Sequence, residues 1–178
     1  SARLMPSGSV AFSWSDSDPY MRGSLIATPF SWGEASYQYT DVNNALYSLT
    51  PEFSGDQTYK DKSFDAKFLL LKESNYLPAV AVGFRDLAGT GVFSSEYFVA
   101  SKRIKNIDLT MGLGWGAYSN HGFRNPLIDI NDQFAVRDGS DNETQGGEFS
   151  TGYWFSGKVG VFGGAEIFLP NLDGMRFK

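Results

Sequence analysis

The stretch Ile107-Asp108-Leu109-Thr110-Met111-Gly112-Leu113-Gly114-Trp115-Gly116 decides the fold class. Its odd-numbered positions are all large and apolar, and its even-numbered positions are polar or glycine. Successive side chains of a β-strand point to opposite faces, so this stretch predicts a strand with one apolar and one hydrophilic wall. The same period of two recurs at Val10, Phe12 and Trp14, at Ala35, Tyr37 and Tyr39, at Phe64, Ala66, Phe68 and Leu70, and at Val80, Val82 and Phe84. The stretches Met21 to Pro29, Ser95 to Arg103 and Lys158 to Phe168 are less regular but rich in β-formers and bounded by turn residues. No window of helical length sustains a period of 3.6. The chain reads as all-β.

Connection lengths alternate. Short ones follow the second, fourth, sixth and eighth strands, at Phe30 to Gly33, Glu73 to Leu77, Ile104 to Asn106 and Leu169 to Gly174. Longer ones are expected at Asn43 to Lys62, Leu87 to Ser94 and Ser119 to Gly157, with Asp16 to Tyr20 as a short exception. Tight turns at one rim and long polar loops at the other match an antiparallel up-and-down meander forming an outer-membrane β-barrel or part of one. The apolar faces carry no charge in their central stretches, as a hydrocarbon-facing surface requires. Trp14, Tyr39 and Trp115 fall near the long-loop rim and Phe30 and Trp32 near the short-turn rim, where aromatic girdles would lie. A soluble β-sandwich also has alternating strands. Two details favour the barrel: the glycine-lined polar face of Ile107 to Gly116, and a loop alternation that Greek-key connections would mix.

Composition bounds the rest. A chain of 178 residues, 42% hydrophobic and 16% aromatic, suits one domain with a sizeable core, here residues 1–178 as a single barrel domain or a segment of a longer chain. Zero cysteines remove thiolate metal sites, catalytic thiols and disulfides together. The net charge of -5 argues against nucleic acid as a partner. That charge is concentrated between Ser119 and Ser150, where six carboxylates face Arg124 and Arg137. No run approaches the length of a membrane helix, while a mean hydropathy of -0.26 leaves a membrane barrel open.

No catalytic constellation emerges, and the chain reads as a non-enzyme without cofactor or metal. His121 is the single histidine and sits in a polar loop. Asp138 to Glu143 looks like a calcium loop but lacks glycine at the sixth position, and its glutamate comes too early. Ala88-Gly89-Thr90-Gly91 lacks a completed phosphate-binding pattern and reads as a turn. Glu73 and Asp86 have no glycosidase spacing. The hydrophilic wall is more informative. Glu34, Gln38, Asp65, Lys67, Arg85, Glu96, Lys102 and Asp108 are expected to point into a lumen of mixed charge, suited to loose contact with a hydrated polymer. The plain alternative is a solvated or plugged lumen with structural ion pairs.

The blocks Leu77-Pro78-Ala79-Val80-Ala81-Val82-Gly83-Phe84-Arg85-Asp86 and Gly89-Thr90-Gly91-Val92-Phe93-Ser94-Ser95-Glu96-Tyr97-Phe98-Val99-Ala100-Ser101-Lys102-Arg103 are long and specific. With Tyr59 to Asp65, Leu113 to Gly116, Ser1 to Pro6 and Phe162 to Glu166, they make the chain resemble the YjbH-like family of Gram-negative outer-membrane proteins linked to exopolysaccharide and capsule production. The resemblance runs nearly end to end and corresponds to an amino-terminal portion of longer members. It implies a cell outer-membrane location and a part in polysaccharide secretion, but no catalytic residues. Met175 to Lys178 begins a further alternating stretch, so eight to nine strands are expected. The reading is an outer-membrane barrel component of exopolysaccharide biosynthesis and secretion, in contact with outer-membrane lipid, an extracellular polysaccharide and other secretion-system proteins. A soluble β-sandwich carbohydrate-binding module and a general diffusion porin are the alternatives.

Overall fold

The computed structural model describes residues 1–89, 91, 93–119, 122–137 and 152–169. Eight strands follow one another: β1 (Ser9–Ser17), β2 (Tyr20–Phe30), β3 (Gly33–Leu46), β4 (Thr58–Leu71), β5 (Ala79–Arg85), β6 (Ser95–Ile104), β7 (Ile107–Gly114) and β8 (Gly160–Ile167). They form one antiparallel sheet in the order of the chain, an open half-barrel. β1 and β8 do not pair with each other among the described residues. The β-sandwich alternative requires two facing sheets; the described residues hold one, so that reading is corrected. Met175 to Lys178, His121 and Asp138 to Glu143 lie outside the described residues.

Register fixes the two faces. Phe12 pairs with Leu25, Leu25 with Tyr37, and Tyr37 with Phe64. Further round, Phe68 pairs with Val82, Val82 with Phe98, Phe98 with Leu113, and Leu113 with Val161. Paired residues share a face, so these rows form a single apolar surface on the convex side. Most of it is uncovered: Phe12 is 71% exposed and Met111 69%. A small buried apolar cluster lies on the concave side, with Ala2, Ala79, Ala81 and Val99 packed against Leu69, Tyr97 and Phe162. This inverts the usual distribution, in which large apolar side chains are the buried ones.

Two connections differ from expectation. Asn43 to Lys62 reads as loop, yet β3 runs to Leu46 and β4 starts at Thr58, leaving a shorter connection, residues 47–57, that contains α1 (Pro51–Ser54). The extension is held by polar cross-strand chemistry that hydrophobic alternation does not register. Asp41 accepts from Lys60 Nζ at 2.7 Å and from the Thr58 hydroxyl. The second difference is the connection between β7 and β8. Its described part is folded rather than free in solvent, with 3-10 turns at Gly116–Ser119, Pro126–Asp129 and Asp132–Phe134. Asn125 and Asn131 cap two of these turns, and buried Asn125 also donates to the carbonyls of Phe134 and Phe155.

This segment packs on the convex side at the long-loop rim. The Phe155 ring lies 5.3 Å from Phe98, 5.2 Å from Trp115 and 5.7 Å from Phe84. Trp115, expected in an exposed girdle, is therefore buried. Glu96 lies beside it, because Phe84 pairs with Glu96 and so sets it on the convex face. It is 1% exposed, and Arg137 holds both carboxylate oxygens at 2.8 Å. The Phe155 N–H adds a third bond at 2.9 Å.

Breaking such a pair from one side strands a buried charge. Arg137→Met should cost about 3–5 kcal/mol, read as faster proteolytic release of the segment after β7. Adding Glu96→Gln to that variant should recover part of the loss. If Arg137→Met alone is neutral, the clamp does not hold the segment.

Candidate functional site

The concave face is built from small residues and flat rings. Gly83 pairs with Tyr97, and Tyr97 with Gly114. A Cβ on Gly83 would lie 2.1 Å from the Tyr97 ring, and one on Gly112 would lie 2.3 Å from Phe162. Glycine at these two positions lets the rings lie against the sheet instead of standing out from its concave face. Tyr118 joins them, stacked on Phe162 at 5.2 Å and edge-on to Tyr97 at 5.9 Å. The result is an aromatic strip along β6, β7 and β8.

Beside the strip is a cavity of about 270 Å³. Five of the residues expected in a lumen line it: Glu34, Gln38, Asp65, Lys67 and Arg85, together with Tyr97 and Tyr118. Their pairing is uneven. Lys67 Nζ sits 2.7 Å from Glu34. Asp65 accepts the Asp86 N–H at 2.9 Å, and Arg85 Nε stands 3.8 Å from it. Arg85 donates to the Tyr118 hydroxyl at a long 3.4 Å, and its side chain keeps 33% exposure. It is the loosely held cation of the cavity. No ion pair joins Arg85 to its neighbour Asp86 among the described residues.

Of the remaining expected residues, Asp108 is on the concave face but lower, bound by Arg3 Nη1 at 2.8 and 3.0 Å. Glu96 and Lys102 are not on this face. Both share the parity of Phe98 in β6, so both are convex, and their assignment to the lumen is corrected. Lys102 reaches the β4–β5 turn, donating to the carbonyls of Ser74, Asn75 and Leu77. Polarity suggested the lumen for these two; shared parity with Phe98 and Ala100 assigns them outward.

At the long-loop rim the described part of the β5–β6 connection reaches β2, with the Phe93 ring 6.1 Å from Tyr20. Asp86 is buried there, and its carboxylate accepts the Phe93 N–H. Burial first, then the Asp61 and Asp65 carboxylates, push Asp86 up to about 6. Arg22 lies 4.5 Å over the Tyr20 ring and 5.8 Å over Phe93. No group of metal-ligating side chains occurs among the described residues.

Sequence reasoning missed Tyr97, Tyr118, Phe162 and Arg3. For Tyr97 the signal existed: it shares the parity of Val99 and Ser101, opposite to Phe98, and pairs with Gly83 and Gly114. Tyr118 and Arg3 belong to no strand and carry no periodic signal.

Over residues 1–178 the sequence matches the YjbH family, described as exopolysaccharide biosynthesis protein YbjH. It is 44% identical over 170 residues to a protein of Escherichia coli (strain K12) named uncharacterized lipoprotein YjbH. That match covers 95% of this chain and 24% of the relative, so the chain spans about a quarter of the length of the curated relative it matches. No solved structure matches.

The aromatic strip makes a packing prediction. Gly83→Ala should cost about 1–3 kcal/mol, because the new methyl must displace the Tyr97 ring. In a Tyr97→Ala background the same change should be nearly neutral. Urea unfolding of the four proteins gives the coupling, expected at about 1 kcal/mol or more. Additive costs would mean that the ring does not lie on Gly83.

Proposed function

The chain belongs to the YjbH family of exopolysaccharide biosynthesis proteins, and from that premise we propose that its sheet is part of an outer-membrane β-barrel whose concave face contacts a carbohydrate polymer during its secretion. The observation that carries this reading is the division of the sheet into a largely exposed apolar exterior, whose charges such as Lys60, Glu96 and Lys102 lie toward the strand ends, and an interior of flat aromatic rings and loosely paired charge. In water the convex surface would be a large unpaired apolar patch. Against hydrocarbon it needs no cover. Short turns at one rim and longer connections at three positions of the other suit the periplasmic and extracellular sides respectively. Phe30 stacks on Trp32 at 5.0 Å and Trp32 on Phe68 at 6.2 Å, an aromatic group at the short-turn rim where a girdle belongs. The lipoprotein name of the Escherichia coli relative supports membrane association.

The interior suits sugars for a specific reason. A pyranose ring presents aliphatic C–H edges, which are attracted to the negative face of an aromatic ring. Its hydroxyls and any carboxylate need polar partners, and Arg85, Gln38 and Ser24 supply them beside the strip. A general diffusion porin would use the same exterior but have no need of the aromatic strip. The reading assigns no catalytic step, and its partners are outer-membrane lipid, the polymer and other secretion proteins.

Two measurements test it. Met111→Arg, on the convex face, should cost about 2–4 kcal/mol in a bilayer-folded protein, whereas Thr110→Arg, one residue away, should be much milder. Equal tolerance in a heat-modifiability gel would end the membrane reading. For the polymer, Arg85→Glu should lower surface polysaccharide while the amount of folded protein in the membrane is unchanged. A loss of export seen only when the protein itself is lost would make Arg85 structural.

A further inference from the structure

Residues 1–7 do not join the sheet; they cross its concave face near the short-turn rim. Ala2 N–H donates to the Ser101 hydroxyl of β6 at 2.8 Å, and its methyl is fully buried among Ala79, Ala81 and Val99. Met5 N–H donates to Glu34 of β3 at 3.3 Å, and the Ser7 hydroxyl to the Pro29 carbonyl of β2 at 3.4 Å. The segment then turns at Gly8, with φ +82°, into β1. It therefore spans the interior from β7 to β2.

Its attachment is concentrated in one side chain. Arg3 is the only charged side chain of the seven, and it binds two carboxylates from separate elements. Its Nε lies 2.7 Å from Glu73 in the β4–β5 turn, and its Nη1 lies 2.8 Å from Asp108 in β7. Both pairs are partly exposed, so each is a modest contact open to competition by water and ions. Beneath the segment a cavity of about 400 Å³ remains between Leu4, Met5, Leu69 and Ala79. A segment with two long hydrogen bonds, one alanine-sized socket and incomplete packing is built to come away more easily than a paired strand.

The segment also shares a residue with the polymer-facing cavity. One Glu34 oxygen holds Lys67 at 2.7 Å, while the other accepts Met5 N–H. We propose that residues 1–7 are a latch closing the short-turn end of the concave face, fastened by Arg3 and linked to the cavity through Glu34, and that material moves along this face only after its release. The inference rests on reading the concave face as a polymer path. It adds that the resting state of that path is closed.

The test is ion conductance of the full-length protein in planar lipid bilayers. Arg3→Glu places a third carboxylate against Glu73 and Asp108 and should raise single-channel conductance severalfold. Reversing the partners, in Arg3→Glu/Glu73→Arg/Asp108→Arg, should return it to the wild-type level. Ala2→Leu, too large for its socket, should open the path without touching the ion pairs, which guards against a misleading effect of charge alone. Equal conductance of the wild type, Arg3→Glu and Ala2→Leu would overturn the latch. So would a charge reversal that leaves conductance raised. The polymer reading fails separately, if latch variants behave as expected while surface polysaccharide ignores Arg85→Glu.

Discussion

Everything in this protein depends on parity across the hydrogen-bonded ladders. The described strands form one sheet, with no second sheet to bury an error, so each must present its apolar positions to the same side as its neighbours. A slip of one residue at any pairing would turn a row such as Phe68, Val82, Phe98 and Leu113 into the interior and bring glycine and charge to the exterior. Such a constraint is exacting because it is repeated at seven consecutive interfaces. It also explains the modest buried core. Alanine, valine and glycine on the concave side leave room for rings and solvent, and most of the large apolar side chains are on the convex side, where only the segment after β7 covers some of them.

The same rule measures how much was legible in the sequence. Five of the strands could be read from alternation and three from β-forming residues bounded by turns, and β7 stated its two faces outright. Reading failed where polarity was trusted over parity. Glu96 is charged, yet it occupies a convex position and is tolerated there because Arg137 and Phe155 arrive from a distant part of the chain to satisfy it. Nothing local to β6 announces a partner 41 residues away. The extensions of β3 and β4 escaped for a related reason. They are stabilised by Asp41, Thr58 and Lys60, whose pairing depends on register rather than on composition.

The candidate site was half legible. Five of the eight residues expected in the lumen line one cavity, because strands of matched parity bring Glu34, Lys67, Asp65 and Arg85 to one wall. The rings beside them were not foreseen, although the glycines opposite them were conspicuous. A glycine in a strand usually weakens it, and here the loss is offset by the close approach of an aromatic ring to the backbone. Glycines at the centre of a hydrophilic strand face are therefore best read with the question of which large side chain they admit.

The meander has a consequence for the order in which the chain assembles. Each strand pairs with the one made just before it, so the sheet can grow as successive hairpins, most of them closing a short loop and incurring little entropic penalty. Residues 1–7 are the exception. Ala2 meets Ser101 and Arg3 meets Asp108 across 99 and 105 residues of sequence, and neither partner is in position until β6 and β7 have joined the growing edge. Residues 1–7 are thus among the last of the described residues to find their place, and they span the interior only once β6 and β7 stand beside it.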